Sequence, residues 1–246
     1  MRYRKGAPLI SDSLLKRLIG DMLIALIGAI GWPLCRALYH IEIRRAGPVG
    51  HRYLPGRAIL VSNHCIPLDP LFHGLTILPR RTWYTLLEET CEAPVLGTFV
   101  RALGGIPLPH SRSRLEDIED AVAHGLRTRG LVHFYPEGEC FLGNQKIFPF
   151  KAGAAYFAIR FGVPVVPIVT VLRRLHGPGS KLIKVSICVL PPLSPPPSGT
   201  TQRSLLVGSI RFSRKIHDLM QAEIEREGGD KSLYCGPMPR IKGVND

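Results

Sequence analysis

The longest apolar stretch of the chain runs from Leu18 to Leu38, with Asp21 and Arg36 near its ends and Gly31-Trp32-Pro33 inside it. Proline lacks an N–H and its ring clashes with the preceding turn, so this triplet predicts a helix break. The uninterrupted part, Met22 to Cys35, is shorter than the roughly 20 residues of a spanning helix. The pattern therefore predicts an interfacial or re-entrant pair of helices over residues 1–40. Lys16, Arg17, Arg44 and Arg45 flank it where lipid phosphates would lie. A buried core helix or a single tilted span fits the same run of apolar residues.

Beyond it, short β-type runs alternate with helical ones. Strands are expected at Ile41–Arg44, Ala58–Ser62, Trp83–Leu86, Leu131–Tyr135, Val163–Thr170 and Lys181–Leu190. Helices are expected from about Asp69, around Val95–Leu103, over Arg114–Arg127 and over Lys151–Phe161. This alternation is the mark of an α/β domain, here spanning 41–200. The proline-rich connector Pro191–Ser198 cannot lie inside a sheet. A last helix is expected over Gln202–Arg226, where Ile210, Ile216, Leu219 and Met220 recur near helical spacing. Gly228-Gly229-Asp230 stops it, and a loose tail completes the C-terminal unit, 201–246.

A net charge of +13 adds an anionic partner to this picture, whether nucleic acid, an anionic membrane or a phosphate-bearing substrate. Aromatic residues make up only 7% of the chain and no zinc-finger or RNP-like pattern occurs, which argues against nucleic acid. The six cysteines have no paired short spacings, so neither a disulfide framework nor a metal site is expected and a reducing compartment fits best. The basic Met1-Arg2-Tyr3-Arg4-Lys5 lacks a following small-residue cleavage site and reads as retained.

Candidate chemistry sits at the ends of apolar strands. Asn63-His64-Cys65-Ile66-Pro67-Leu68-Asp69-Pro70 follows one strand and opens a helix, the place where α/β folds expose reactive groups. His64 suits a general base, and Asp69 can hold one ring nitrogen so that the other accepts a proton. The competing reading is a structural histidine. Cys65 suggests a thiol nucleophile, but adjacent side chains normally point apart. Leu103-Gly104-Gly105-Ile106-Pro107-Leu108 precedes His110, Arg112 and Arg114, a pattern for close backbone approach and phosphate contact, or a plain turn. His133-Phe134-Tyr135-Pro136-Glu137-Gly138-Glu139-Cys140 places a carboxylate at another strand end, as a site or as a turn. Val163-Pro164-Val165-Val166-Pro167-Ile168-Val169 carries no ionisable group and reads as core or an apolar wall.

In this order the segments resemble the glycerolipid acyltransferase family that includes the 1-acylglycerol-3-phosphate acyltransferases. The resemblance covers about Ile41 to Thr170. It rests on Asn63-His64 to Asp69-Pro70, Gly105-Ile106-Pro107, Tyr135-Pro136-Glu137-Gly138, Phe150-Lys151-Ala152-Gly153 and Val163-Pro164-Val165-Val166-Pro167. It implies a single acyltransferase domain, a central mixed sheet flanked by helices, behind a membrane-associating N-terminal segment. It also implies that His64 deprotonates an acceptor hydroxyl, that Asp69 orients it, and that no acyl-enzyme forms; no Gly-x-Ser-x-Gly elbow is present.

By the same resemblance Glu137 and Gly138 bind the acceptor, with acyl-CoA or acyl carrier protein as co-substrate and no metal or other cofactor. Gly105, Arg112 and Lys151 are the further substrate-binding candidates, with Arg112, Arg114 or Lys151 standing in for family arginines that this chain lacks. The expected partners are membrane lipids and a lysophospholipid, at the cytoplasmic face. Two departures stand out: Pro109-His110 and Glu139-Cys140 occupy positions where the family commonly has an acid with arginine, and threonine with arginine. A different headgroup, thioester hydrolysis, or a non-catalytic membrane-binding protein on the same scaffold are the alternatives.

Overall fold

The computed structural model describes residues 7–10, 14–45, 54–109, 114–176, 182–199 and 201–239. Its centre is a seven-stranded mixed sheet in the order β1-β8-β7-β2-β5-β3-β4. The strands are β1 (Glu42–Arg45), β2 (Ala58–Ser62), β3 (Trp83–Leu87), β4 (Gly105–Leu108), β5 (Leu131–Phe134), β7 (Val165–Arg174) and β8 (Ile183–Val189). Strands β7, β2, β5, β3 and β4 are parallel neighbours, while β8 runs antiparallel to β7 and carries β1 parallel to itself.

Every residue of β2 is buried, as a central parallel strand covered on both faces requires. The two-residue side-chain period divides it between two cores. Ile59 and Val61 join the cluster under α6 (Leu115–Thr128), α7 (Gly153–Phe161) and α8 (Gln202–Arg226), while Ala58 and Leu60 face α3 (Asp69–Thr76). Helix α8 starts at a reciprocal capping box between Thr201 and Ser204 and lays Leu205, Phe212, Ile216, Met220 and Ile224 into the first cluster. Their spacing is that of one helical face.

Three sequence expectations need correction. The apolar N-terminal segment does not break: α1 (Leu14–Leu26), a π turn (Ile27–Gly31) and α2 (Trp32–Tyr39) follow without interruption. The Trp32 N–H reaches back to the Ile27 carbonyl, and Pro33 sits in the first turn of α2, so the wider turn absorbs the missing donor. Leu18–Tyr39 is long and apolar enough to cross a membrane, and only 11% of its most apolar window is buried. Leu18, Met22, Leu26, Ile30, Leu34 and Leu38 form an exposed stripe along it.

The second correction concerns Gly105-Ile106-Pro107, which is a strand and not a turn. It belongs to β4, the sheet edge, after two short helices, α4 (Glu88–Glu92) and α5 (Leu96–Ala102). The third concerns the tail. After a 3-10 turn at Lys231–Leu233, β9 (Gly236–Pro237) pairs antiparallel with β6 (Phe141–Leu142). The Cys235 N–H donates to the Leu142 carbonyl and the Met238 N–H to that of Cys140.

Candidate active site

From β2 the chain crosses β5 through α3 to reach β3, and from β5 it crosses back over β2 through α7 to reach β7. The cores place these helices on opposite faces, so a crevice opens at the C-terminal ends of β2 and β5, the usual ligand position in open α/β sheets. His64 follows β2 and Glu137 follows β5.

Asp69 is the first residue of α3 and is wholly buried. Its Oδ2 accepts the backbone N–H groups of Cys65 at 2.7 Å and Ile66 at 2.8 Å, and lies 3.0 Å from Nδ1 of His64. Oδ1 accepts from the Thr170 hydroxyl at 2.9 Å. Burial alone would raise its pKa, but the His64 hydrogen bond and the Ile66 amide help bring it below the usual carboxylate range. An ionised Asp69 can only accept, so Nδ1 of His64 carries the proton and Nε2 is left as the basic nitrogen. The His64 ring packs on Tyr135 with centroids 4.4 Å apart.

Glu137 is buried beside this pair. Its Oε1 accepts the backbone N–H of His64 at 3.1 Å and its Oε2 that of Phe148 at 3.0 Å. Burial pushes its pKa up to about 7 against those two amides. Oε1 thus holds the His64 loop and Oε2 holds the segment at Phe148. Gly138 has φ +85°, a backbone conformation that side chains disfavour, and its N–H closes a turn onto the Tyr135 carbonyl. The exposed Lys151 side chain lies over Gly138, and its own N–H donates to the Pro136 carbonyl at 2.8 Å. His64, Asp69, Glu137, Gly138 and Lys151 are therefore gathered at one end of the sheet.

A family model described as Acyltransferase matches residues 24–171. The chain belongs to the acyltransferase family. It is 31% identical over 187 residues to the 1-acyl-sn-glycerol-3-phosphate acyltransferase of Escherichia coli (strain K12), covering 72% of this chain and 74% of that one. Similarity to the Saccharomyces cerevisiae protein of the same name is 28% over 240 residues, covering 90% and 76%. The Limnanthes alba relative is 25% identical over 171 residues, and the match spans only 60% of its length. The fold resembles the crystal structure of the 1-acyl-sn-glycerophosphate (LPA) acyltransferase PlsC from Thermotoga maritima, with a TM-score of 0.57 at 20% identity over 86% of this chain and 82% of that one.

Not every residue that the acyltransferase resemblance selects lies at this site. Gly105 is buried at the start of β4 in register with Tyr84, which itself neighbours His133. That level is three residues short of the ends of β3 and β4, though only one short of the end of β5. A side chain there would collide with Leu86 and the Val100 carbonyl, so close packing accounts for the glycine. Arg112 lies outside the described residues. Arg114 is engaged by Asp117 at 2.7 Å, the Ala7 carbonyl at 3.1 Å and Glu88 at 3.8 Å. Cys65 is buried with its sulfur toward the Thr170 carbonyl, and burial together with the Asp69 charge raises its pKa well above the usual thiol value, so it is no thiolate nucleophile.

Other residues of the site carry no sequence-assigned role. Asn63 spans two motifs: its Nδ2 donates to the Thr170 carbonyl at 2.9 Å and its Oδ1 accepts the Thr170 N–H at 2.8 Å. His73 and Thr170 stand behind Asp69. For His73 the signal was present, since four residues along a helix return to the same face. Beside the site, a cavity of about 670 Å3 runs between the N-terminal helix, α3 and α5, lined by Ile27, Leu68, Leu71, Leu75, Phe99 and Val100 among others. Its walls are almost entirely apolar.

Proposed function

We propose that this protein is an O-acyltransferase that moves a fatty acyl group from a thioester, acyl-CoA or acyl carrier protein, to the hydroxyl of a lysophospholipid, foremost 1-acylglycerol-3-phosphate, in phospholipid biosynthesis. The observation that carries the reading is Nδ1 of His64 at 3.0 Å from a buried Asp69, which leaves Nε2 to accept a proton. The Escherichia coli and Saccharomyces cerevisiae relatives, both named for this acceptor, support it.

In this mechanism Nε2 takes the proton of the acceptor hydroxyl as its oxygen attacks the thioester carbonyl carbon. The tetrahedral intermediate collapses, the C–S bond breaks, and the departing sulfur takes the proton back from the imidazolium that Asp69 has stabilised. The donor chain fits the apolar cavity, and the exposed Lys151, lying over Gly138, is suited to a phosphate. The exposed apolar stripe of the N-terminal helix suits association with a membrane, where a lysophospholipid acceptor resides. A lysolipid with another headgroup is the second reading, favoured by Glu139 and Cys140 at the positions after Gly138.

The test is mass spectrometry of products after incubation with labelled acyl-CoA, or acyl carrier protein, and a panel of lysolipids. Phosphatidate supports the first reading and a diacyl lipid of another class the second. Free fatty acid alone, with no acceptor consumed, would replace both with a thioesterase.

A further inference from the structure

We propose that Thr170 and His73 are positioning residues for the His64–Asp69 pair, links in a hydrogen-bond chain whose protons all point toward Asp69. This rests on the reading of His64 as the base.

The direction of the chain follows from counting hydrogens. An ionised carboxylate only accepts, so the single Thr170 hydroxyl hydrogen goes to Oδ1 of Asp69 across 2.9 Å. The Thr170 oxygen must then accept from Nε2 of His73, which lies 2.8 Å away. His73 is wholly buried, and burial, opposed by the Asp69 charge, lowers its pKa to about 4. The ring is therefore neutral. With the proton on Nε2, its Nδ1 is bare and accepts the Tyr135 hydroxyl hydrogen at 3.0 Å. Reversing the Thr170 hydroxyl would take from Oδ1 its hydroxyl donor and leave it 3.9 Å from Nε2 of His73.

The chain Tyr135, His73, Thr170, Asp69, His64 draws on the residue after β5, on α3 and β7, and on the loop after β2. It also closes on itself, because the Tyr135 ring that starts it packs against the His64 ring at 4.4 Å. Two backbone amides and His64 fix Oδ2, but without a donor at Oδ1 the carboxylate plane is held on one side only. Turning that plane swings Oδ2 away from Nδ1 of His64, and the tautomer that leaves Nε2 basic is no longer imposed. The apolar fourth motif thereby acquires a chemical purpose. It delivers the Thr170 hydroxyl, the first polar side chain after Val163–Val169.

The experiment compares Thr170→Val, which keeps the side-chain shape without the hydroxyl, with Thr170→Ser, which restores it, both in the full chain and with folding checked by circular dichroism. Thr170→Val should lower kcat on the order of tenfold to a hundredfold, the range expected for a hydrogen bond to a charged group. KM for donor and acceptor should stay within about twofold. Thr170→Ser should recover most of kcat.

In parallel, selective 15N-histidine NMR of the unmutated protein should show His73 as a neutral Nε2–H ring from pH 8 down to about 5.5, above its depressed titration range. A folded Thr170→Val variant with unchanged kcat, a Thr170→Ser variant as impaired as Thr170→Val, or an Nδ1–H His73 would each overturn the proposal. If the unmutated protein transfers no acyl group, the functional reading falls, and the NMR tautomer alone decides the chain.

Discussion

The Glu137 carboxylate accepts the backbone N–H of His64 at 3.1 Å, so the loop that ends β5 sets the height of the loop that ends β2. Its other oxygen takes the Phe148 amide, so each carboxylate oxygen already holds one backbone donor. In Glu137→Gln the new amide must turn a donor toward one of these two N–H groups. The expected result is a loss of about 1–3 kcal/mol in stability, the usual effect of an unmet buried donor, and a drop in kcat of tenfold or more. Denaturant melts and steady-state kinetics check both. An unchanged kcat with a raised KM for the acceptor would instead make Glu137 a substrate contact.

Glu137 also gives the protein a pH signature. Its folded pKa of about 7 stands above the ordinary 4.5, so between those values the native state holds more protons than the unfolded chain. Stability from this group is fully present below pH 4.5 and is lost as the pH rises through about 7. Glu137→Gln lacks this titration. The unfolding free energy of the unmutated protein relative to the variant should fall between about pH 5 and 7, by at most about 1.4 kcal/mol per pH unit, and level off above. A difference that is flat across this range contradicts the assignment.

The apolar cavity beside the site makes a prediction about donors. Leu71 on α3 lines it, and Leu71→Trp fills part of its 670 Å3. Acyl-CoA substrates of increasing chain length should then show a preference displaced toward shorter chains, with shorter donors little affected. Identical chain-length profiles for the two proteins would mean that the donor chain lies elsewhere.

The exposed stripe on α1, the π turn and α2 predicts membrane affinity. Met22→Asp combined with Ile30→Asp places charge on two of its most exposed positions. Loss of two buried apolar side chains removes on the order of 3 kcal/mol, about a hundredfold in partitioning. Vesicle sedimentation measures it, and unchanged binding would show that this face does not meet the bilayer.

How far the sequence reveals this arrangement depends on whether the signal is local. Helix α8 runs over Gln202–Arg226 as its periodicity predicts, and β2 over Ala58–Ser62, because caps and unbroken apolar runs are written in neighbouring residues. The N-terminal break does not occur, since a π turn can absorb Pro33 and nothing in residue types distinguishes that from a kink. Strand β4 hides behind Gly104-Gly105 and Pro107 because an edge strand needs few ladder bonds on its open side.

At the site, the His64–Asp69 contact is legible because one short loop joins the two residues. The hold of Glu137 on the His64 amide and the link from Thr170 to Asp69 join residues 73 and 101 positions apart, and only the folded sheet brings them together. Arg114 shows the converse. Its charge suggested a phosphate ligand, while the fold engages it with Asp117 and Glu88.

The central claim is that Nε2 of His64 takes the acceptor proton. The most direct measurement is the rate of diacyl lipid formation by His64→Ala beside the unmutated protein, with both shown by circular dichroism to be folded. The account predicts that transfer falls to the uncatalysed background in the variant while the melting temperature stays close to that of the unmutated protein. Sustained turnover by a folded His64→Ala protein would contradict it.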